Sequence, residues 1–150
     1  YTLSLNRAFE AVIEGCAEPR DADEATWITP AMIAAYTALH HLGHAHSLEV
    51  WADDELAGGI YGLAIGGVFF GESMFSRRTD ASKIALVALC RLLTAHGYGL
   101  LDCQVENTHL LRMGAERMPR DVFENELQRL LNTSLDEAFW GASRLEQERW

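Results

Sequence analysis

Leu56-Ala57-Gly58-Gly59-Ile60-Tyr61-Gly62-Leu63-Ala64-Ile65-Gly66-Gly67-Val68-Phe69-Phe70-Gly71-Glu72-Ser73-Met74-Phe75 is the stretch whose reading decides the fold. Two apolar runs, Leu56–Ile65 and Val68–Phe75, meet at Gly66-Gly67. A Gly-Gly pair takes the left-handed backbone of a tight hairpin without penalty, so the stretch predicts two adjacent antiparallel strands. Gly58, Gly59 and Gly62 interrupt the first strand. Glycine inside a strand marks a bulge or a close backbone approach. In the second strand, Glu72 enters a run that otherwise reads as buried. A buried carboxylate is costly unless it is paired or hydrogen-bonded.

Working outward, His46–Trp51 alternates as a third strand, joined to the hairpin by the turn Asp53-Asp54-Glu55. Downstream, Asp80 reads as the cap of a helix over Ala81–His96 that ends at Gly97. That helix is apolar nearly all round and is expected deep in the fold. Leu100–Val105 reads as the next strand. Asn6–Ala17 reads as a helix with Ala8, Phe9, Val12 and Ile13 on one face. Thr29-Pro30 opens another helix, with Thr as N-cap and Pro at its first position; it runs to Leu42 and stops at a left-handed Gly43. Glu18–Ala25 is an acidic loop, Asn107–Met113 a short helix and Pro119–Leu131 an amphipathic one. The tail Asn132–Trp150 is weakly patterned, with Phe139 and Trp140 expected to pin it. This order is α+β, a mixed β-sheet packed by helices.

The 150 residues suit one domain, and 49% hydrophobic with 23% charged residues is ordinary globular composition. The apolar runs are too short to span a bilayer, so no membrane association is expected. The chain opens at Tyr1 rather than Met, as expected of an excised or processed piece. Cys16, Cys90 and Cys103 are odd in number and lack CxxC spacing, which predicts reduced thiols in a cytoplasmic protein. Against 22 acidic residues stand 12 Lys and Arg, a net charge of −10. That argues against this chain by itself gripping nucleic acid through phosphates. The local basic clusters are Arg77-Arg78 with Lys83, and Arg112, Arg117 and Arg120.

Strand alternation over Leu100–Val105 turns Asp102 and Gln104 one way and Cys103 the other. The pair is either part of a polar site or a set of edge residues facing solvent. Glu72 shares its expected face with Val68, Phe70 and Met74; the competing reading pairs it with Arg77 or Arg78. Cys103 is a poor nucleophile, because the neighbouring Asp102 raises its pKa. His40, His41, His44 and His46 resemble a metal cluster, but Gly43 breaks the helix between them and no acid or cysteine completes a set. Packing and capping histidines are the better reading, and no metal is expected. Trp27 and Tyr36 flank a helix start, as core residues or as a platform for a base. The loop Phe75–Asp80 has no glycine, and Asp80 stands where a pyrophosphate would bind at the helix N-terminus. Coenzyme A is therefore not expected, nor any other cofactor.

The order of elements matches the layout of the GNAT (acyl-CoA N-acyltransferase-like) fold. Thr26-Trp27-Ile28-Thr29, Gly43-His44-Ala45-His46-Ser47, Gly58-Gly59-Ile60-Tyr61-Gly62, Phe70-Gly71-Glu72-Ser73-Met74-Phe75-Ser76, Ala81-Ser82-Lys83 and Asp102-Cys103-Gln104-Val105 occur in this order. Together they closely resemble the bacterial leucyl/phenylalanyl-tRNA–protein transferase family, over about Leu3 to Leu131, with a poor match in the tail. The resemblance implies a GNAT-like fold and transfer of Leu or Phe from Leu-tRNA or Phe-tRNA to proteins beginning with Arg or Lys. Such proteins are thereby marked for N-end-rule degradation. It implies that Gln104, Asp102 and Glu72 are catalytic. It further implies that Trp27 and Tyr36 contact the tRNA 3′-adenosine. Ile60, Phe69 and Leu101 would wall the side-chain pocket, with Ser73 also binding substrate. The family's N-terminal domain has no counterpart in this chain, which then corresponds to the catalytic domain alone, residues 1–150. Two other classes stay open: a GNAT-type acyl-CoA N-acyltransferase and a non-catalytic module that binds basic N-termini.

Overall fold

The computed structural model describes residues 1–19, 26–141 and 143–145. β2 (Ala45–Ala52), β3 (Glu55–Ile65) and β4 (Val68–Ser76) form the expected antiparallel meander. Asp53 and Asp54, with φ of 51° and 64°, make the first turn, and Gly66, with φ of 56°, the second. α3 (Ala81–Ala95) then crosses over to β5 (Leu100–Asp102), which lies parallel to the start of β4. Two strands were not legible in the sequence: β1 (Thr2–Leu5) and β6 (Ser143–Leu145). Each is too short to establish an alternation, and each forms by pairing with a partner far along the chain. Among the described residues the six strands run in the order β5-β4-β3-β2-β1-β6, so β5 is an edge.

Helices cover both faces. α1 (Phe9–Ala17) and α2 (Pro30–His41) enclose Phe9, Val12, Ile13, Ile28, Tyr61 and Phe75 on one side. α3 packs on the other over Leu48, Val50, Ile60 and Phe69. The expectation that α3 would lie deep in the fold holds for one face only. It buries Ala81, Ala85, Leu86, Ala88, Leu89 and Leu93, but Cys90 and Arg91 are exposed and Val87 is 38% exposed. The helix lies on the sheet along one stripe only, touching β2, β3 and β4. α4 (Thr108–Arg112) and α5 (Arg120–Leu131) follow β5.

The Thr29 hydroxyl accepts from the Met32 N–H at 3.3 Å, Pro30 is the first residue of α2, and Gly43 has φ of 83°. Asp80 differs from its expected role. Its φ of 61° turns the side chain away from the helix N–H groups, and its carboxylate meets Lys83 at 2.5 Å. The Ser76 hydroxyl instead accepts from the Ser82 N–H at 2.8 Å. Trp140 does pin the tail: it is buried, stacks on His46 at 4.2 Å, and donates from Nε1 to the Tyr98 hydroxyl at 3.0 Å. Phe139 stacks on His96 at 3.9 Å. The loop expected over Glu18–Ala25 and the tail beyond Leu145 fall mostly outside the described residues.

The glycines of β3 answer to close approach. A Cβ on Gly62 would lie 2.1 Å from the Phe70 carbonyl oxygen. Glu49 is a fully buried carboxylate, and it is satisfied. It accepts from the hydroxyls of Ser4 and Ser47 and from the N–H groups of Arg7 and Ala8, at the entrance to α1. This joins β1, β2 and α1, and it serves a helix start where Ala8 offers no side-chain cap. Burial nevertheless pushes the Glu49 carboxyl above its ordinary range.

Two outcomes follow. Gly62→Ala should lose about 1–3 kcal/mol in urea unfolding, because the rigid carbonyl cannot move aside. The folded state holds the Glu49 proton more tightly than the unfolded state does. Its stabilising contribution is full below the ordinary carboxylate range and lost as pH rises through the raised value. Urea midpoints across that window should therefore fall with pH, and Glu49→Gln should flatten that component of the slope.

Candidate active site

β4 is paired unequally along its two sides. On the β3 side Tyr61 faces Ser73 and Gly62 faces Gly71, which leaves Glu72 as an extra residue without a partner. Such a bulge re-aims a side chain. On the β5 side pairing stops at Phe70–Asp102, so β4 runs on from Gly71 without that neighbour. The gap between the two strands opens beside the bulge.

The bulge corrects the expected face of Glu72. Met74 packs toward α3, whereas the Glu72 carboxylate lies on the α2 side, close enough to the Tyr36 hydroxyl to act on it. Burial and this carboxylate together push the Tyr36 hydroxyl up to about 12, which keeps it a donor. The competing pairing with the following arginines is not formed: Arg77 meets Glu18 at 2.5 Å and Arg78 meets Glu55 at 3.1 Å.

Gln104 reaches the same place by a different route from the one alternation predicts. β5 ends at Asp102, and Gln104 has φ of 61°. A non-glycine residue in that region costs about 1–3 kcal/mol. The Asp102 Oδ1 accepts from the Gln104 backbone N–H at 2.8 Å and stabilises the turn. Asp102 thus holds the main chain of Gln104, not its side chain. The Gln104 Nε2 donates to the Gly71 carbonyl at 3.1 Å and to Glu72 Oε1 at 3.3 Å. Both partners here only accept, so the amide nitrogen must face them and the amide oxygen points elsewhere. Glu72, Asp102 and Gln104 are therefore brought together. Asp102 and Glu72 are half-buried and Gln104 is exposed at the sheet edge.

The other expected residues are distributed unevenly. Trp27 is 53% exposed just ahead of α2. Ser73 is half-buried beside the bulge. Ile60 and Phe69, 5% and 1% exposed, are packed core, while Leu101 is half-buried and lines a cleft. That cleft, about 1070 Å3, lies between α3, β5 and the segment through α4, with Asp102 and Gln104 in its wall. Cys103 packs against the core, and burial, with Cys90 and Asp102 nearby, pushes its thiol up, which makes it unreactive. His40 stacks on Phe9 at 4.3 Å, and His46 is buried against Trp140.

Sequence reasoning missed Tyr61. It is fully buried, its ring meets Tyr36 edge-on at 5.4 Å, and its hydroxyl has no hydrogen-bond partner among the described residues. The one available signal was a tyrosine alternating into a glycine-rich strand. Chemically, the cluster offers two carboxylates and an amide oxygen, a set of acceptors suited to an ammonium group or a basic side chain.

The family model described as leucyl/phenylalanyl-tRNA protein transferase matches residues 1–128. A protein of Chromohalobacter salexigens named leucyl/phenylalanyl-tRNA–protein transferase is 54% identical over 143 residues, 95% of this chain and 56% of that protein. Its namesake in Nitrosomonas europaea is 57% identical over 130 residues, 87% of this chain and 55% of that protein. The one in Pseudomonas syringae pv. syringae is 50% identical over 145 residues, 97% of this chain and 63% of that protein. The family model stops short of the tail, whereas alignments of this length run past Leu131. The chain spans little more than half the length of these relatives. Among solved structures, the ribosomal-protein-alanine N-acetyltransferase of Brucella melitensis biovar Abortus 2308 superposes with a TM-score of 0.55 at 11% identity, covering 79% of this chain and 94% of that one. An aminoglycoside acetyltransferase, HMB0005, from an uncultured soil metagenomic sample gives 0.52 at 15% identity, covering 80% and 96%. At such identities the likeness concerns the fold alone, which is GNAT-like. With motifs, sheet and family model in agreement, the chain belongs to the leucyl/phenylalanyl-tRNA–protein transferase family.

Proposed function

We propose that this chain is the catalytic domain of an aminoacyltransferase that moves Leu or Phe from aminoacyl-tRNA to the α-amino group of proteins beginning with Arg or Lys. The product enters N-end-rule degradation. The observation that carries the reading is Gln104, held in a left-handed turn by Asp102, with its amide nitrogen engaged by Gly71 and Glu72. Its amide oxygen is then oriented to accept a hydrogen bond from an attacking amine.

The reaction joins the amine nitrogen to the ester carbonyl carbon, and the bond to the tRNA ribose oxygen breaks. The ribose leaves as an alcohol, taking up one proton, and the amine loses its proton. No covalent enzyme intermediate is needed, which agrees with the unreactive Cys103. Gln104 is too weak a base to take the proton outright, so it aligns the amine while water or the ribose carries the proton. Alignment alone supplies several kcal/mol of a bimolecular barrier. Glu72, which accepts from the Gln104 amide beside the Tyr36 hydroxyl, holds the acceptor's basic side chain or the aminoacyl ammonium. The exposed Trp27 indole stacks the terminal adenosine, with Tyr36 close by; such a contact is worth about 1–3 kcal/mol. Leu101, backed by Ile60 and Phe69, receives the leucyl or phenylalanyl side chain, and Ser73 adds a hydroxyl beside the bulge.

With a net charge of −10, the chain has little with which to grip tRNA phosphates. In this reading the portion by which the relatives are longer supplies those contacts. Against coenzyme A stands the start of α3, where the preceding loop has no glycine and the Ser76 hydroxyl already engages the Ser82 N–H, an amide that a pyrophosphate would use. No described helix is long and apolar enough to cross a membrane. The free thiols fit the reducing cytoplasm, where the tRNA substrate is found.

Labelled Leu-tRNA and an Arg-starting peptide, given to the chain with and without the N-terminal portion of a relative, should yield leucyl-peptide. Gln104→Ala should lower kcat about 10²-fold through misalignment. Peptide binding without transfer in either setting would leave a recognition module instead. Glu72→Gln should raise KM for the Arg-peptide by about 10–100-fold, the loss of a charge-assisted hydrogen bond of about 1.5–3 kcal/mol. Unchanged kinetics and acceptor preference would remove Glu72 from this role.

A further inference from the structure

The candidate site accounts for Asp102 and Gln104 but not for the space beside them. A cleft of about 1070 Å3 exceeds what one leucyl or phenylalanyl side chain fills. Away from Asp102 its lining is mixed: Leu86, Val87, Leu110, Leu111, Met113 and Met118 form an apolar stretch, flanked by charged residues. Val87, Val105, Leu111 and Met118 are exposed large hydrophobic residues, and all four gather on this one cleft. Such a concentration marks a binding surface. β5, which borders the cleft, is an edge of the sheet among the described residues, the kind of strand to which an extended chain can pair.

The charges distinguish between polymers. Arg117 grips Glu106 through two bonds of 2.5 and 2.6 Å, and Arg120 faces Glu124 at 3.9 Å. Arg91 is also engaged. With these arginines answered, the rim is a poor phosphate binder, which disfavours RNA. The end nearest the bulge is acidic, through Asp102 and, beyond it, Glu72. An acidic end leading into an apolar trough complements a polypeptide that begins with an ammonium and a basic side chain and continues with apolar residues. Met113 and Met118 are flexible and polarizable, so the trough can adapt to varied sequences.

We infer that this cleft receives the acceptor polypeptide beyond its first residue and favours large apolar side chains at the second and third positions. The inference rests on the reading of Asp102, Gln104 and Glu72 as the amine site.

The test is a fluorescence anisotropy titration of this chain with labelled peptides starting Arg-Leu-Phe and Arg-Asp-Ser, each with a free and an acetylated N-terminus. The Arg-Leu-Phe peptide should bind about tenfold more tightly, as expected from burying one or two apolar side chains. Leu111→Asp should abolish that difference without changing the Kd of the Arg-Asp-Ser peptide, and Val87→Asp should do the same. Both residues are 38% exposed, so the variants should keep the parent's circular dichroism and urea midpoint. Equal affinities with acetylation still abolishing binding would overturn this inference and leave the amine site standing. Indifference to acetylation would overturn both. If Leu111→Asp weakened a leucylated RNA ending in CCA and left the peptides unchanged, the cleft would belong to RNA and the inference would fall.

Discussion

The unequal pairing of β4 is the constraint on which the rest of the site depends. Its antiparallel partner β3 follows it to the end but at the cost of one extra residue, Glu72. Its parallel partner β5 leaves it at Phe70. The first condition turns a carboxylate toward α2, and the second opens a gap into which the next residues of the chain fold back. Had β5 continued to Val105 along β4, Gln104 would lie in a regular ladder and could not reach the Gly71 carbonyl as it does. The gap also leaves β5 as an edge bordered by an apolar cleft.

Two carboxylates in this fold illustrate how polar groups divide between structure and chemistry. Glu49 is fully buried and accepts from two hydroxyls and two backbone N–H groups, which ties β1, β2 and α1 together. A buried acid with so many donors is a structural element. Glu72 is half-buried, with the Gln104 amide as its hydrogen-bond donor and the Tyr36 hydroxyl nearby. It keeps acceptor capacity for a cation. Gln104 follows the same logic, since its nitrogen is engaged while its oxygen is not, and its strained backbone is maintained by Asp102. Strain retained in a folded protein tends to cluster at functional sites.

Legibility in the sequence followed the length of each signal. The β3–β4 hairpin, α2 with its Thr29 cap and Gly43 stop, and the tail anchor Trp140 were all readable from patterns of several residues. β1 and β6 were not, because strands of four and three residues carry no measurable period and exist through pairing with each other and with β2. The deep placement expected for α3 held for one face only, because an apolar helix covers the sheet only along the stripe that touches it; its outer flank became a cleft wall. Of the site, Glu72, Asp102 and Gln104 were nameable as polar residues out of place, but the alternation that grouped Asp102 with Gln104 was the wrong mechanism. The Tyr36–Glu72 contact and the buried Tyr61 hydroxyl lay beyond reach, since they join residues on different elements.

By itself, then, the sequence determined the kinds of elements, their order, the caps that bound them and the family to which the chain belongs. These are local or cumulative properties: turn chemistry, hydrophobic period, and motifs in order. Tertiary structure alone decided the bulge at Glu72, the left-handed turn at Gln104 and the junction of both with Tyr36. The physical reason is that each depends on where β4 loses its neighbours. That is set by the packing of α2 and α3 against opposite faces of one sheet, and no single segment encodes it.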